Sequence, residues 1–251
     1  MKKTEPFTVI YEDDHIIAVN KMSGIAVCAD RWDDSKERLD KLLAAYLKME
    51  KVFIVHRIDR DTSGLVVFAK DEGAHKKLSA AFEGRQIKKR YIAVTHGRPV
   101  WKETVCDLPL VPDGNKQHHT IIDKYQGKKS VTSFRLLGSA GNYSIIEAFP
   151  ETGRTHQIRV HLASLGHSVM CDAIYGNAKP LFLSAVKSKW RGDQAEERPL
   201  LARLGLHAQE LIIPPGFLPD RSGEDSALMI QAPLARDMAA VVNQFEKCYR
   251  N

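Results

Sequence analysis

The most constraining feature of this chain is the stretch from Val52 to Lys70, where two apolar runs enclose a short, densely charged connection. Val52, Phe53, Ile54 and Val55 are β-branched or aromatic and predict a buried strand. Leu65 to Ala69 is an unbroken apolar run, too short for an ordinary helix and the right length for a buried strand. Between them, His56, Arg57, Asp59, Arg60 and Asp61 fall within six positions. Thr62-Ser63-Gly64 supplies turn chemistry, with a glycine free to take positive φ. A loop fixed between rigid strands is where catalytic groups usually sit. Read alone, Asp59 among arginines is more often half of a structural ion pair, so the rest of the chain has to decide.

Phe7 to Tyr11 and Ile16 to Val19 predict short strands around a polar turn. Arg31 to Arg38 is charged and irregular. Leu39, Leu42, Leu43 and Tyr46 recur at helical spacing, as do Leu78 and Phe82 within Ala74 to Phe82. Ile87 to Gly97 predicts a strand with Tyr91, Ala93 and Thr95 on one face and Ile92 and Val94 on the other. Pro99 to Val131 is basic, with a turn at Asp113-Gly114-Asn115. Its His118-His119 pair has no carboxylate or cysteine at ligand spacing, so no metal site is expected. Thr132 to Leu137 and Tyr143 to Phe149 read as a hairpin, and Asp237 to Tyr249 as a closing amphipathic helix.

A second dense stretch is ETGRTHQIRVHLASLGHSVMCDAIYG, Glu151 to Gly176. Thr155 is a plausible N-cap, and Ile158, Leu162 and Leu165 follow at i, i+4 and i+7. The expectation is a helix from Thr155 to Leu165 with one buried stripe, closed by Gly166. His156 and Arg159 then lie about one turn apart, with Arg154 at the entrance. His156 and His161 are five apart and do not form a zinc-binding pair of the HExxH kind.

Four of these elements, in this order, resemble the RluA-type pseudouridine synthases. YEDDHIIAVNKMSG is similar to that family's opening, with Met22 in place of proline, so a less rigid loop is expected there. HRIDRDTSGLVVFAK resembles its HRLDxxTSGL signature. IKKRYIAVTHG matches its KxYxAxVxG element, and GRTHQIRVHLASLGH its GRTHQIRVHLAxLGH helix, with Ser168 and Cys171 replacing proline and glycine further on. LLARLGLHAQEL and MIQAPL match two late elements. The resemblance implies an α+β fold: a mixed, mostly antiparallel bent sheet with flanking helices and a central active-site cleft. It implies one catalytic domain over residues 1–251, without an S4-type RNA-binding domain before it. It also implies an RNA uridine isomerase with Asp59 as its catalytic carboxylate, Tyr91 against the target base, and Arg159 pairing with and orienting Asp59. Arg57, Lys89, Arg154 and His156 are the expected RNA-binding residues. The segment around 178–199 departs most from the pattern and is expected to be a surface insertion.

The net charge of +6 fits a polyanionic partner. The partner implied is structured RNA, ribosomal or transfer, with no DNA and no membrane. No apolar run approaches the ~20 residues needed to span a bilayer. The basic N-terminus lacks the apolar run of a secretory signal. Cys28, Cys106, Cys171 and Cys248 are scattered, as reduced cytosolic thiols are. The expectation is therefore a cytoplasmic monomer without metal or cofactor, and no P-loop or Rossmann glycine run is present. Three other readings compete with this one. Asp61 rivals Asp59, and DTSG resembles the DTG loop of aspartic proteases, but the protease dyad needs two such loops. A glycosidase needs a second carboxylate, for which only Glu151 is in sight. A non-catalytic RNA-binding protein on the same scaffold would not need Asp59, Tyr91 and Arg159 together.

Overall fold

The computed structural model of the chain describes residues 5–29, 37–187, 189–217 and 226–249. The first elements are β1 (Phe7–Glu12), β2 (Ile16–Lys21), α1 (Leu39–Leu47), β3 (Phe53–Ile54), β4 (Ser63–Ala69) and α2 (Glu72–Glu83). Then come β5 (Lys88–His96), β6 (Glu103–Cys106), β7 (Leu110–Val111), β8 (Ile121–Ile122), β9 (Thr132–Ala140) and β10 (Tyr143–Pro150). The chain ends with α3 (Gln157–Ser164), α4 (Leu183–Val186), β11 (Leu206–Ile213), β12 (Leu228–Gln231) and α5 (Arg236–Tyr249). The charged stretch beginning at Arg31 lies, up to residue 36, outside the described residues.

Two compact units emerge, one comprising Met1–Lys89 with Ala208–Pro233, the other Arg90–His207 with Leu234–Asn251. In the first, strands run in the order β1-β2-β4-β11, with β3 on β4 and β12 on β11. The β1–β2, β2–β4, β3–β4 and β11–β12 pairs are all antiparallel. Every residue of β4 is buried, which explains its unbroken apolar run: neither face of the strand meets water. Leu65, Val67 and Ala69 pack with Ala74, Leu78 and Ala81 of α2, which recur at i, i+4 and i+7. Asp71 caps α2 by accepting the Ala74 N–H at 2.8 Å. Gly64 has φ +112°, and a Cβ there would lie 2.1 Å from the Ala208 carbonyl oxygen. Only glycine satisfies both the angle and the approach.

In the second unit the order is β5-β10-β9-β6, again with antiparallel pairing. The hairpin of β9 and β10 closes tightly, Ala140 opposite Tyr143, around Gly141 at φ +57°. Strand alternation divides β5 as expected. Ile92 and Val94 pack with Met238, Val241 and Phe245 of α5, while Ala93 packs with Ile158 and Leu162 of α3. The α+β class and the antiparallel pairing therefore agree with the sequence reading.

Several local expectations are corrected. The strand predicted over Val52 to Val55 is only Phe53–Ile54 and is partly exposed. Its ladder stops because the backbone N–H of Val67 is taken by the His56 side chain instead. In α1 the buried residues are Leu39, Leu43 and Ala44, while Tyr46 is exposed. Helix α3 begins at Gln157, after His156 in a left-handed conformation, and Thr155 does not cap it. No side chain among the described residues caps the helix; the Gln157 side chain instead ties down the chain leading into it, its Oε1 accepting the Arg154 N–H at 3.0 Å and the Thr152 hydroxyl at 2.7 Å. Nor does α3 show a single stripe: Gln157, Ile158, Arg159, Val160, His161 and Leu162 are all buried. Within 178–199, Leu181 and Val186 belong to the core of the second unit, and Glu197 accepts from both the N–H and the hydroxyl of Ser184.

Candidate active site

The charged loop of the first unit is fixed mainly by its backbone. Lys21 ends β2, and strand alternation turns its side chain inward, where it is 1% exposed. Its ammonium donates to the carbonyls of Met22, Ile25 and Arg60 at 2.9, 2.8 and 2.7 Å. Gly24 N–H reaches the Arg60 carbonyl at 2.9 Å, and the Ser23 hydroxyl reaches that of Asp61 at 2.6 Å. Thr62 N–H closes a turn on the Asp59 carbonyl at 3.2 Å. Asp59 thus sits, partly exposed, on a backbone whose next residues are held from outside by the Lys21–Gly24 segment. Met22 takes part too: its N–H, which proline would lack, donates to Pro6 at 3.0 Å. The substitution that suggested a looser turn adds a tie.

His56 leads into this loop. Its Nε2 accepts the Val67 N–H at 2.9 Å, and its ring stacks on Phe82 with centroids 4.5 Å apart. Burial, reinforced by the nearby Lys89 charge, lowers its pKa to about 3, so it is neutral. Lys89, at the start of β5, is itself lowered to about 8 by burial and by the Arg85 charge. Arg57 and Asp61 are exposed.

In the second unit Tyr91 lies on β5 opposite Ala148 and packs, partly buried, on the core that includes Ile146 and Leu162. Arg159 is buried on α3 and forms a two-point fork with Asp172, Nε to Oδ2 at 2.7 Å and Nη2 to Oδ1 at 2.8 Å. Burial alone would raise the Asp172 carboxyl; the Arg159 hydrogen bonds and charge, with the N–H groups of Tyr175 and Ile174, outweigh it and hold it below the usual range. The Tyr175 ring lies under the guanidinium, 5.2 Å from centroid to Cζ. Its hydroxyl accepts the Thr120 N–H and meets His156 Nδ1, both at 2.9 Å. His156 and Arg159 are thereby joined through Tyr175. Arg154 turns elsewhere, toward the Lys129 carbonyl. His161 is a core histidine between Thr132 and the Leu108 carbonyl.

Sequence reasoning named Arg159 and missed Asp172, Tyr175 and Lys21. A signal for Asp172 was present: it is the only acid between Glu151 and Asp193. A buried arginine needs a counter-charge, and Asp172 alone could supply it locally. Lys21 could have been found by alternation from Ile17 and Val19.

Residues 15–164 match the RNA pseudouridylate synthase family. The ribosomal large subunit pseudouridine synthase D of Zymomonas mobilis is 34% identical over 98% of this chain and 75% of that protein. The dual-specificity RNA pseudouridine synthase RluA of Escherichia coli K12 is 34% identical over 83% of this chain and 88% of that protein. The solved structure of human RNA pseudouridylate synthase domain containing 1 superposes with a TM-score of 0.70, covering 100% of this chain and 98% of that one at 22% identity, a likeness of fold. The chain belongs to the RNA pseudouridylate synthase family and is an RNA pseudouridine synthase, an isomerase. No helix among the described residues is long and apolar enough to cross a membrane, and no His, Cys, Asp and Glu group among them could hold a metal.

Proposed function

We propose that the chain isomerises uridines in ribosomal RNA, transfer RNA or both, as a cytoplasmic monomer, with Asp59 as the attacking carboxylate. The N1–C1′ bond of the uridine breaks, the uracil turns, and C5 bonds to C1′. The C5 proton is lost and N1 gains one, so atoms balance without redox change or energy input. Asp59 either attacks C1′ and leaves again as C5 bonds there, or removes the C2′ proton and returns it in that same step. Tyr91 offers a flat, semi-polar face to the detached base, and Arg159 orients Asp59. Arg57, Lys89, Arg154 and His156 serve the RNA, with Arg57 filling the gap left by the flipped nucleotide. Single-stranded loops are the expected targets, since their bases leave the stack at least cost.

The observation that carries this reading is the clamped loop: Lys21, Ser23 and Gly24 fix the backbone on the C-terminal side of Asp59. An exposed structural ion pair would not need such anchoring, whereas a nucleophile does. The names of the relatives, one a ribosomal and one a dual-specificity enzyme, support the substrate class. Tritium release from RNA labelled at uracil C5 tests it, on separate ribosomal and transfer RNA transcripts. Release that persists in Asp59→Asn would remove Asp59 from the mechanism. Binding of RNA with no release from any transcript would leave only the binding scaffold.

A further inference from the structure

Arg159 is 4% exposed and Asp172 fully enclosed. Enclosing such a pair costs several kcal/mol per ion before their attraction is counted, and apolar residues of like volume often serve a core as well. The pair is built for more than an attraction. The guanidinium is fixed in its plane by two bonds to Asp172 and over its face by the Tyr175 ring. Asp172 is anchored in turn, its Oδ1 accepting the N–H groups of Ile174 and Tyr175 at 2.9 and 3.1 Å. Tyr175 is tied at its far end by Thr120 and His156. One carboxylate therefore sets both the arginine and, through the Tyr175 amide, the ring that covers it.

We infer that Asp172 and Tyr175 are positioning residues for the isomerisation, holding the Arg159 guanidinium in the single orientation in which it meets the reacting groups. The inference rests on the role given to Arg159 above. Asp172→Asn replaces one acceptor oxygen of the fork by a donor and frees the guanidinium to swing. Misplacing a catalytic partner by about 1 Å is worth on the order of 100-fold in rate.

The test is a double-mutant cycle on steady-state tritium release, with Asp172→Asn and Arg159→Lys made singly and together. The expected result is a kcat about 100-fold lower in Asp172→Asn with KM within threefold of wild type. That loss should shrink to under about threefold when Arg159 is already lysine. An equal loss in both backgrounds, no loss, or a loss confined to KM would overturn the inference. If Arg159→Lys shows no turnover, the Arg159 Nε–H resonance decides. Its shift and protection from exchange should change on Asp172→Asn, and an unchanged signal overturns the inference. Should Asp172→Asn fail to fold, Tyr175→Leu carries the same cycle. An inactive wild type would instead count against the proposed activity, a result separable from every outcome above.

Discussion

The two units hold their buried cations by opposite means. In the first, the Lys21 ammonium is received by main-chain carbonyls of Met22, Ile25 and Arg60. In the second, the Arg159 guanidinium is received by the Asp172 carboxylate and covered by a tyrosine ring. Main-chain acceptors fix the course of the backbone that bears them, so Lys21 shapes the loop next to Asp59. A side-chain fork fixes the plane of one group, so Asp172 aims Arg159. The first device builds a platform; the second points a tool.

The sharpest break in this comparison is chemical. Asp59→Asn should lower tritium release by at least about 1,000-fold, while Asp61→Asn keeps most of it. Equal losses would mean that the platform, not Asp59, is what both substitutions disturb. Next in size, Arg159→Met should destabilise the protein by about 3–5 kcal/mol, because it leaves Asp172 buried without its charge partner. Adding Asp172→Leu should recover most of that, since replacing both members is often neutral. Urea denaturation of the single and double variants reads this directly; no recovery would show that the fork is not the unit at risk.

Lys21→Met should cost about 1–3 kcal/mol by removing the ammonium's hydrogen bonds to the carbonyls of Met22, Ile25 and Arg60. Changing the side chain of Met22, Ile25 or Arg60 should not rescue it, because these three offer Lys21 main-chain carbonyls. A rescuing replacement at any of the three would contradict the contrast between the units. A separate effect concerns pH. The folded chain resists protonating His56 down to about 3, while the unfolded chain accepts that proton near 6.5. Stability should therefore fall as pH drops from about 6.5 to about 3, and His56→Gln should flatten that part of the curve. Lys89 acts at the other end: unfolded it keeps its proton to 10.5, folded only to about 8, so stability should rise with pH across that window. Urea midpoints across a pH series test both, and parallel curves for wild type and His56→Gln would rule out His56.

Elements whose burial follows a simple period were legible. β4, α2, β5 and the β9–β10 hairpin came from apolar runs, helical spacing and alternation, because those patterns record which face meets water. β3 is shorter than its apolar run suggests, since nothing in Val52 to Val55 reveals that a histidine side chain takes the next ladder position. α3 was misread for the converse reason. Its charged and polar residues are buried by specific partners, Gln157 on Thr132 and Thr152, Arg159 on Asp172, and His161 on Leu108. A hydrophobicity pattern cannot see polar burial that is satisfied across long sequence gaps. Of the candidate site, Asp59, Tyr91 and Arg159 stood out by their motifs. Lys21, Asp172 and Tyr175 did not, because a side chain that supports another leaves only a weak local signal.

The enclosure of Lys21 has a practical consequence for labelling. Amine-reactive reagents attack the unprotonated, accessible amine, and an ammonium at 1% exposure with several carbonyls around it offers neither. In a mass-spectrometric footprint Lys21 should stay unmodified while exposed lysines such as Lys88 react. Its first acylation would then time the opening of the Asp59 loop, giving a clock for that one event built into the native sequence.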